Sequence, residues 1–166
     1  MASTNEDAVT LATARLGDGR VLMLRHLPDR GTVEVGWWGR DGDGAVTQLP
    51  PALELAAEAA EVEAFARLCE RAAATGWDSV RDGGEIAAAG PFADGARLVV
   101  TRSGDEVAFA RRPEAGNLVR VPRATLERLV AETLPAALGK LVTLGFGLPQ
   151  HGEEAALNRA INFWSD

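Results

Sequence analysis

The chain writes one junction twice, and that repetition restricts its fold more than any other feature. GAVTQLP at residues 44–50 ends a strand-like run and opens an alanine-rich stretch, and GNLVRVP at 116–122 does the same. Upstream of the first, GRVLMLRHL (19–27) and TVEVGWWG (32–39) flank the turn-rich PDRG; upstream of the second, ARLVVTR (96–102) and EVAFARR (106–112) flank SGD. Alternating apolar and polar residues bounded by Gly, Pro and Asp predict hairpins. Matching positions drift closer along the chain: Asp18 to Asp94 is 76 residues, Val33 to Val107 is 74, and Gly44 to Gly116 is 72. Turns shortened two residues at a time give that drift and keep every strand side chain on its original face.

An earlier strand precedes each hairpin pair, AVTLATARL (8–16) and EIAAAGPF (85–92), and a helix follows it. The first helix is predicted from about Pro51 to Thr75, with Leu55, Ala59, Val62, Ala66, Cys69 and Ala73 as its apolar stripe and Glu54, Glu58, Glu61 and Glu70 off it. The second starts near Arg123, turns Leu126, Leu129, Val130 and Leu134 inward, and is ended or kinked by Pro135, which lacks a backbone donor. EEAALNRAINFWSD closes the chain as a third helix with Leu157, Ile161 and Trp164 on one side. The expected fold is α+β: two pseudo-symmetric antiparallel sheet/helix units, βββ(β)α twice, plus a C-terminal amphipathic helix. The units divide as residues 1–80, 81–142 and a linker with helix at 143–166. Chance likeness between two ordinary strand-to-helix junctions is the alternative to a duplication.

The outline of four strands then a helix, used twice over about residues 8–140, looks like the Whirly and PUR-type single-strand nucleic-acid binders. LVRVPRATLERLVAETL is similar to their last strand running into a helix. The outline also looks like the type III secretion chaperone-like domains, small acidic α+β binding proteins. The acidic balance departs from the first group and the tandem order from the second. No chemical motif accompanies either resemblance, and no functional residue is carried over.

Charge weighs against the nucleic-acid reading. The net charge is −7, and phosphate-driven binding needs an excess of Lys and Arg. Only residues 94–140 hold a basic surplus, with 8 basic and 6 acidic side chains. Arg97, Arg102, Arg111, Arg112, Arg120 and Arg123 fall in this stretch, and Arg102, Arg112 and Arg120 form a candidate cationic platform if they share a face. The competing expectation is a surface neutralised by the glutamate-rich first helix. Trp37 and Trp38 are consecutive on a predicted strand, so one faces the core and the other is exposed, buried by the opposite half or covered by a partner. Phe163 and Trp164 of the terminal helix complete the candidate partner-binding set.

Catalysis finds no support. His26 and Asp29 in RHLPDRG are the one close His–Asp spacing and read as a hairpin turn with an exposed imidazole; His151 reads as loop or cap. RDGDGA (40–45) does not continue as a calcium loop, and GFG (145–147) lacks the Lys-Ser/Thr of a phosphate loop. No cofactor, metal site or catalytic residue is expected. Cys69 cannot form an intrachain disulfide, no apolar run approaches the ~20 residues of a membrane helix, and the start carries no secretory pattern. A soluble cytoplasmic protein is expected; the shortage of Tyr and wealth of Ala, Gly and Arg suit a GC-rich, bacterial-like coding background. Its expected role is non-catalytic: binding another protein, possible homo-oligomers included, through sheet faces or the C-terminal helix. The alternative is single-stranded nucleic acid held on the arginine-rich second sheet.

Overall fold

The computed structural model describes residues 8–16 and 18–145. Four strands, β1 (Val9–Arg15), β2 (Val21–Leu27), β3 (Thr32–Arg40) and β4 (Val46–Ala56), form an antiparallel sheet in sequence order, followed by α1 (Ala59–Ala74). After a 3-10 turn at Trp77–Ser79, strands β5 (Glu85–Ala89), β6 (Arg97–Ser103), β7 (Glu106–Arg112) and β8 (Leu118–Pro122) repeat the order in a second sheet. Helix α2 (Arg123–Arg128), a π turn at Leu129–Thr133 and α3 (Leu134–Thr143) then run on as one rod. The expected α+β pair of sheet/helix units is present. The terminal helix predicted at 153–166, with Phe163 and Trp164, lies outside the described residues.

Strand registers show how far the two halves correspond. Val21 pairs with Trp38 and Leu27 with Thr32; Arg97 pairs with Arg112 and Ser103 with Glu106. The offsets of 76 and 74 read from the sequence therefore hold side chain for side chain. Gly44 and Gly116 also correspond, each at a φ of 83° in the turn before the last strand. Beyond the turns the likeness of the two junctions fails. Thr32 pairs with Ala56 and Glu106 with Pro122, so Pro122 matches Ala56 rather than Pro50.

The six extra residues belong to β4, and they displace the start of α1. Pro51 opens no helix; it sits in β4 beside the register shift opposite Gly36, and the Pro50–Pro51 bond is cis. Proline donates nothing to a ladder, so a bulge on an outer strand tolerates it. Leu53 and Leu55 then alternate inward around Glu54 against Val33 and Val35. Strand pairing thus claims Leu55 from the predicted helical stripe. Pro135 behaves closer to expectation. It enters at the start of α3, and the π turn before it brings Leu134, Ala137 and Leu141 into line with Leu126 and Leu129 in the core.

Helices α1 and α3 each pack on the sheet of the other half. Helix α1 lies chiefly against β5 and β6, with Phe65 edge-on to Phe109 at 5.0 Å, while α3 and the π turn lie against β1. One continuous core results, drawing Leu24, Val35 and Leu53 from the first sheet and Leu98, Val100 and Val121 from the second. The β4 and β8 edges meet through side chains: Asn117 accepts from the Glu54 amide at 2.7 Å and donates to its carbonyl at 3.3 Å. Trp37, on the inner face of β3, donates to the Arg120 carbonyl at 2.7 Å.

The strongest polar tie is buried. Arg111, whose position in the second sheet corresponds to Trp37, donates from Nε and Nη2 to both carboxylate oxygens of Glu61 on α1, at 2.9 and 3.0 Å. Glu61, predicted off the apolar stripe of the helix, is 3% exposed and Arg111 is 7% exposed, so for this one arginine the neutralising glutamate of the first helix is buried with it. Glu61 also reaches back to accept from the Ala56 amide at 2.8 Å, fixing the entry of α1. Removing one partner of such a pair strands a buried charge, whereas replacing both with apolar groups of like volume is often neutral. Arg111 keeps a bond to Asp94 at 2.6 Å without Glu61, whereas Glu61 has no second cation among the described residues. Arg111→Met is therefore expected to cost about 3–5 kcal/mol in urea unfolding, and adding Glu61→Leu to recover most of it. A loss below about 1 kcal/mol for the single change is the outcome that would remove this pair from its central place.

Candidate functional site

The residues first suspected of chemistry are dispersed. His26 is not in a turn: it sits on β2, 9% exposed, on the inner side opposite Val33. Burial holds its imidazole below the ordinary 6.5 by penalising the charged form. The unfolded chain thus takes up this proton at higher pH than the folded one. The stabilising contribution is complete above about 6.5 and declines as pH falls through the lower folded value. Stability measured in urea at pH 7.5 and pH 5.5 is expected to fall more steeply for the native chain than for His26→Gln.

Cys69 is fully buried on α1, and burial, with the neighbouring Glu70 charge adding to it, pushes its thiol far up from the ordinary range. A thiolate is the reactive form, so this cysteine is inert while the fold holds. A maleimide is expected to leave it unmodified in native buffer and to label it promptly in denaturant; fast native labelling would contradict its place in the core. RDGDGA forms the turn expected of it, Asp41 Oδ1 accepting from the amides of Asp43 and Ala45. Among the described residues no three His, Cys, Asp or Glu side chains are grouped to hold a metal ion. His151 lies outside the described residues, as do Phe163 and Trp164.

A cleft of about 430 Å³ opens where the β4 and β8 edges meet, with Arg30, Glu54, Asp94, Arg111 and Asn117 on its walls. Its charges are already engaged. Arg30 pairs with Glu54 at 2.8 Å, and Arg111 Nη2 donates to Asp94 at 2.6 Å, a contact that holds the exposed Asp94 carboxyl below its usual range. The cleft offers a ligand little unsatisfied charge.

The outer faces of the sheets, turned away from the core, differ more. Register places Arg97, Val99 and Thr101 of β6, Ala108, Ala110 and Arg112 of β7, and Leu118 and Arg120 of β8 on the outer face of the second sheet. Arg97, Arg112 and Arg120 are exposed, and no ion pair engages them among the described residues. Arg102 does not join them. Its strand position is on the inner side, and its guanidinium donates to the carbonyls of Trp77, Val80 and Gly104. It holds the loop after α1, where Arg123 also stacks on the buried Trp77 at 4.8 Å. Of the three arginines first grouped, two share a face, and Arg97 stands in the third place. Arg97 pairs directly with Arg112 across β6 and β7.

The outer face of the first sheet carries other chemistry on the same lattice. Trp38 occupies the place of Arg112 and Val21 that of Arg97. Trp37 is buried inward and Trp38 outward, as two neighbours on one strand must be. Arg25 stacks on the Trp38 ring at 4.6 Å and donates to Glu34 at 2.7 Å. Gly36 leaves room for the side chains of the adjacent β4, since a Cβ there would stand 2.9 Å from Gln48 Nε2 and 3.1 Å from Ala52 Cβ. Comparison with known protein families, curated proteins and solved structures finds no match for this chain. No helix among the described residues is long and apolar enough to cross a membrane.

Proposed function

We propose that this is a non-catalytic binding protein that takes an acidic segment of another protein on the outer face of its second sheet. The observation that carries the reading is the direct opposition of Arg97 and Arg112, both exposed, with Arg120 on the same face and no carboxylate pairing any of them among the described residues. Like charges at opposed strand positions destabilise a sheet, by roughly 0.2–1 kcal/mol. A partner carboxylate would relieve that repulsion, and guanidinium groups bind carboxylates with paired hydrogen bonds. Val99, Thr101, Ala108 and Leu118 are half-buried between the arginines and would supply an apolar floor for an extended segment. A cytoplasmic location belongs to the same reading, supported by the single, deeply buried cysteine.

Phosphates could meet the same arginines, which keeps single-stranded nucleic acid as the rival occupant. The strand residues of this face include no aromatic ring for bases to stack on, since Phe109 points inward. With net charge −7 for the chain, binding to single-stranded oligonucleotides is expected to be no tighter than roughly micromolar near physiological salt. The test is affinity purification from the native host with the native chain and with Arg97, Arg112 and Arg120 changed to Ser, alongside fluorescence anisotropy with a labelled oligonucleotide. A protein held by the native chain, released by salt and lost with the triple change, supports the reading. Nanomolar oligonucleotide binding abolished by the same change overturns it. The variant is expected to unfold at equal or slightly higher urea concentration than the native chain, because opposed charges have been removed.

A further inference from the structure

We infer that the segment taken on the second sheet carries a phosphorylated side chain, held between Arg97 and Arg112, with a carboxylate four residues away on Arg120. This deepens the binding reading above and rests on it. Arg97 and Arg112 are directly opposed on β6 and β7. Opposed residues of antiparallel strands stand about 5 Å apart at their Cα atoms, so two long side chains there reach a single anion. Both are exposed, and no carboxylate pairs with either among the described residues. One carboxylate offers two oxygens and one charge, enough for one guanidinium fork, and leaves the second unpaired. A phosphorylated side chain offers three terminal oxygens and a charge of about −1.5 to −2 near pH 7, enough for both. A phosphodiester of nucleic acid has one charge and two free oxygens, so the same count places it below a phosphorylated side chain at this pair.

The rest of the face sets what accompanies the phosphate. Between Arg112 and Glu106 the outer side of β7 carries only Ala108 and Ala110, which leave a trough along the strand. An extended segment lying in it turns every second side chain towards the sheet. With the phosphorylated residue at Arg97 and Arg112, the next inward side chain lies over Ala110, between Val99 and Leu118, and is favoured when apolar. The one after it lies beside Arg120, which pairs with Ala108 on β8 and β7. Four residues of strand span about 13 Å, so Arg120 serves a second anion and not the first. Glu106 closes the trough one step further and repels an acid there. The face thus selects phosphate, apolar group and carboxylate at two-residue intervals.

Fluorescence anisotropy of the full chain with two labelled nine-residue peptides tests this. Both carry Val two residues and Glu four residues to either side of the centre, with Ser elsewhere, so each serves either chain direction. The central residue is phosphoserine in one and Glu in the other. The phosphoserine peptide is expected to bind at least about ten-fold tighter, the worth of one more charge-assisted pairing. Arg97→Ser or Arg112→Ser is expected to erase that preference, whereas Arg120→Ser weakens both peptides alike and keeps it. Equal binding of the two peptides, or a preference that survives Arg112→Ser, overturns the inference and leaves the acidic-segment reading in place. If neither peptide binds, that reading falls with it. A single-stranded oligonucleotide that displaces the phosphoserine peptide at lower concentration than the unlabelled peptide itself also overturns the inference, in favour of nucleic acid.

Discussion

A carboxylate and a guanidinium, both withdrawn from water, decide how the two halves sit together. Glu61 belongs to the first helix and Arg111 to the second sheet, and the buried carboxylate has no other cation among the described residues to offset its burial. The pair fixes direction as well as contact. The planar guanidinium accepts only a narrow approach from a carboxylate that binds it with both oxygens, and Glu61 is simultaneously tied to the Ala56 amide where β4 gives way to α1. The crossing of α1 onto β5 and β6, the edge-on Phe65–Phe109 contact and the junction of β4 with β8 all follow from that setting. Trp37 makes the reciprocal reach from the corresponding strand position, through an indole donor rather than a charge.

Correspondence inside with divergence outside is the pattern of the whole molecule. Most inner positions of both sheets carry Leu, Val or Phe, because the shared core favours apolar side chains, and the polar exceptions His26, Arg102 and Arg111 lie inward with them. Outer positions are free of that demand, and there the halves have taken different chemistry: Trp38 with an Arg25–Glu34 pair on one, three exposed arginines on the other. Two similar sheets thus share one interior while one outer face carries an Arg25–Glu34 ion pair and the other carries arginines with no ion pair among the described residues.

Period-two alternation and glycine turns made the strands and their pairing legible in the sequence, because each hairpin is local and its turn chemistry lies between its strands. The fourth strand was misread where two periods overlap. Leu55, Ala59 and Val62 recur at helical spacing, yet Leu53 and Leu55 also alternate, and only the presence of Val33 and Val35 across the ladder decides between them. The arginines show the same limit. Alternation puts Arg111 and Arg112 on opposite faces, but the carboxylate waiting for Arg111 is fifty residues away in sequence, and Glu61 looks like any other solvated helix glutamate. Alternation sends Arg102 to the inner side with Leu98 and Val100, and what the sequence does not show is its acceptors, the carbonyls of Trp77 and Val80 after α1 and of Gly104 in its own hairpin turn. His26 lies in both the alternating run 19–27 and the turn-rich RHLPDRG, and the pairing with Val33 on β3 decides for the strand.

The exchange of helices between halves has a consequence for synthesis. β4 ends at Ala56, whereas α3, which covers the inner side of β1, spans Leu134–Thr143. The ribosome must therefore add nearly eighty residues after the first sheet is written before its lid exists. At about 5–20 residues per second, the interval lasts seconds, during which Leu11, Ala14 and Leu24 have no native cover. The first half can pair its strands while it waits but cannot close, and contacts this distant in sequence slow folding. A nascent chain of this design depends on the arrival of its own far end, and it is most exposed to off-pathway association when half made.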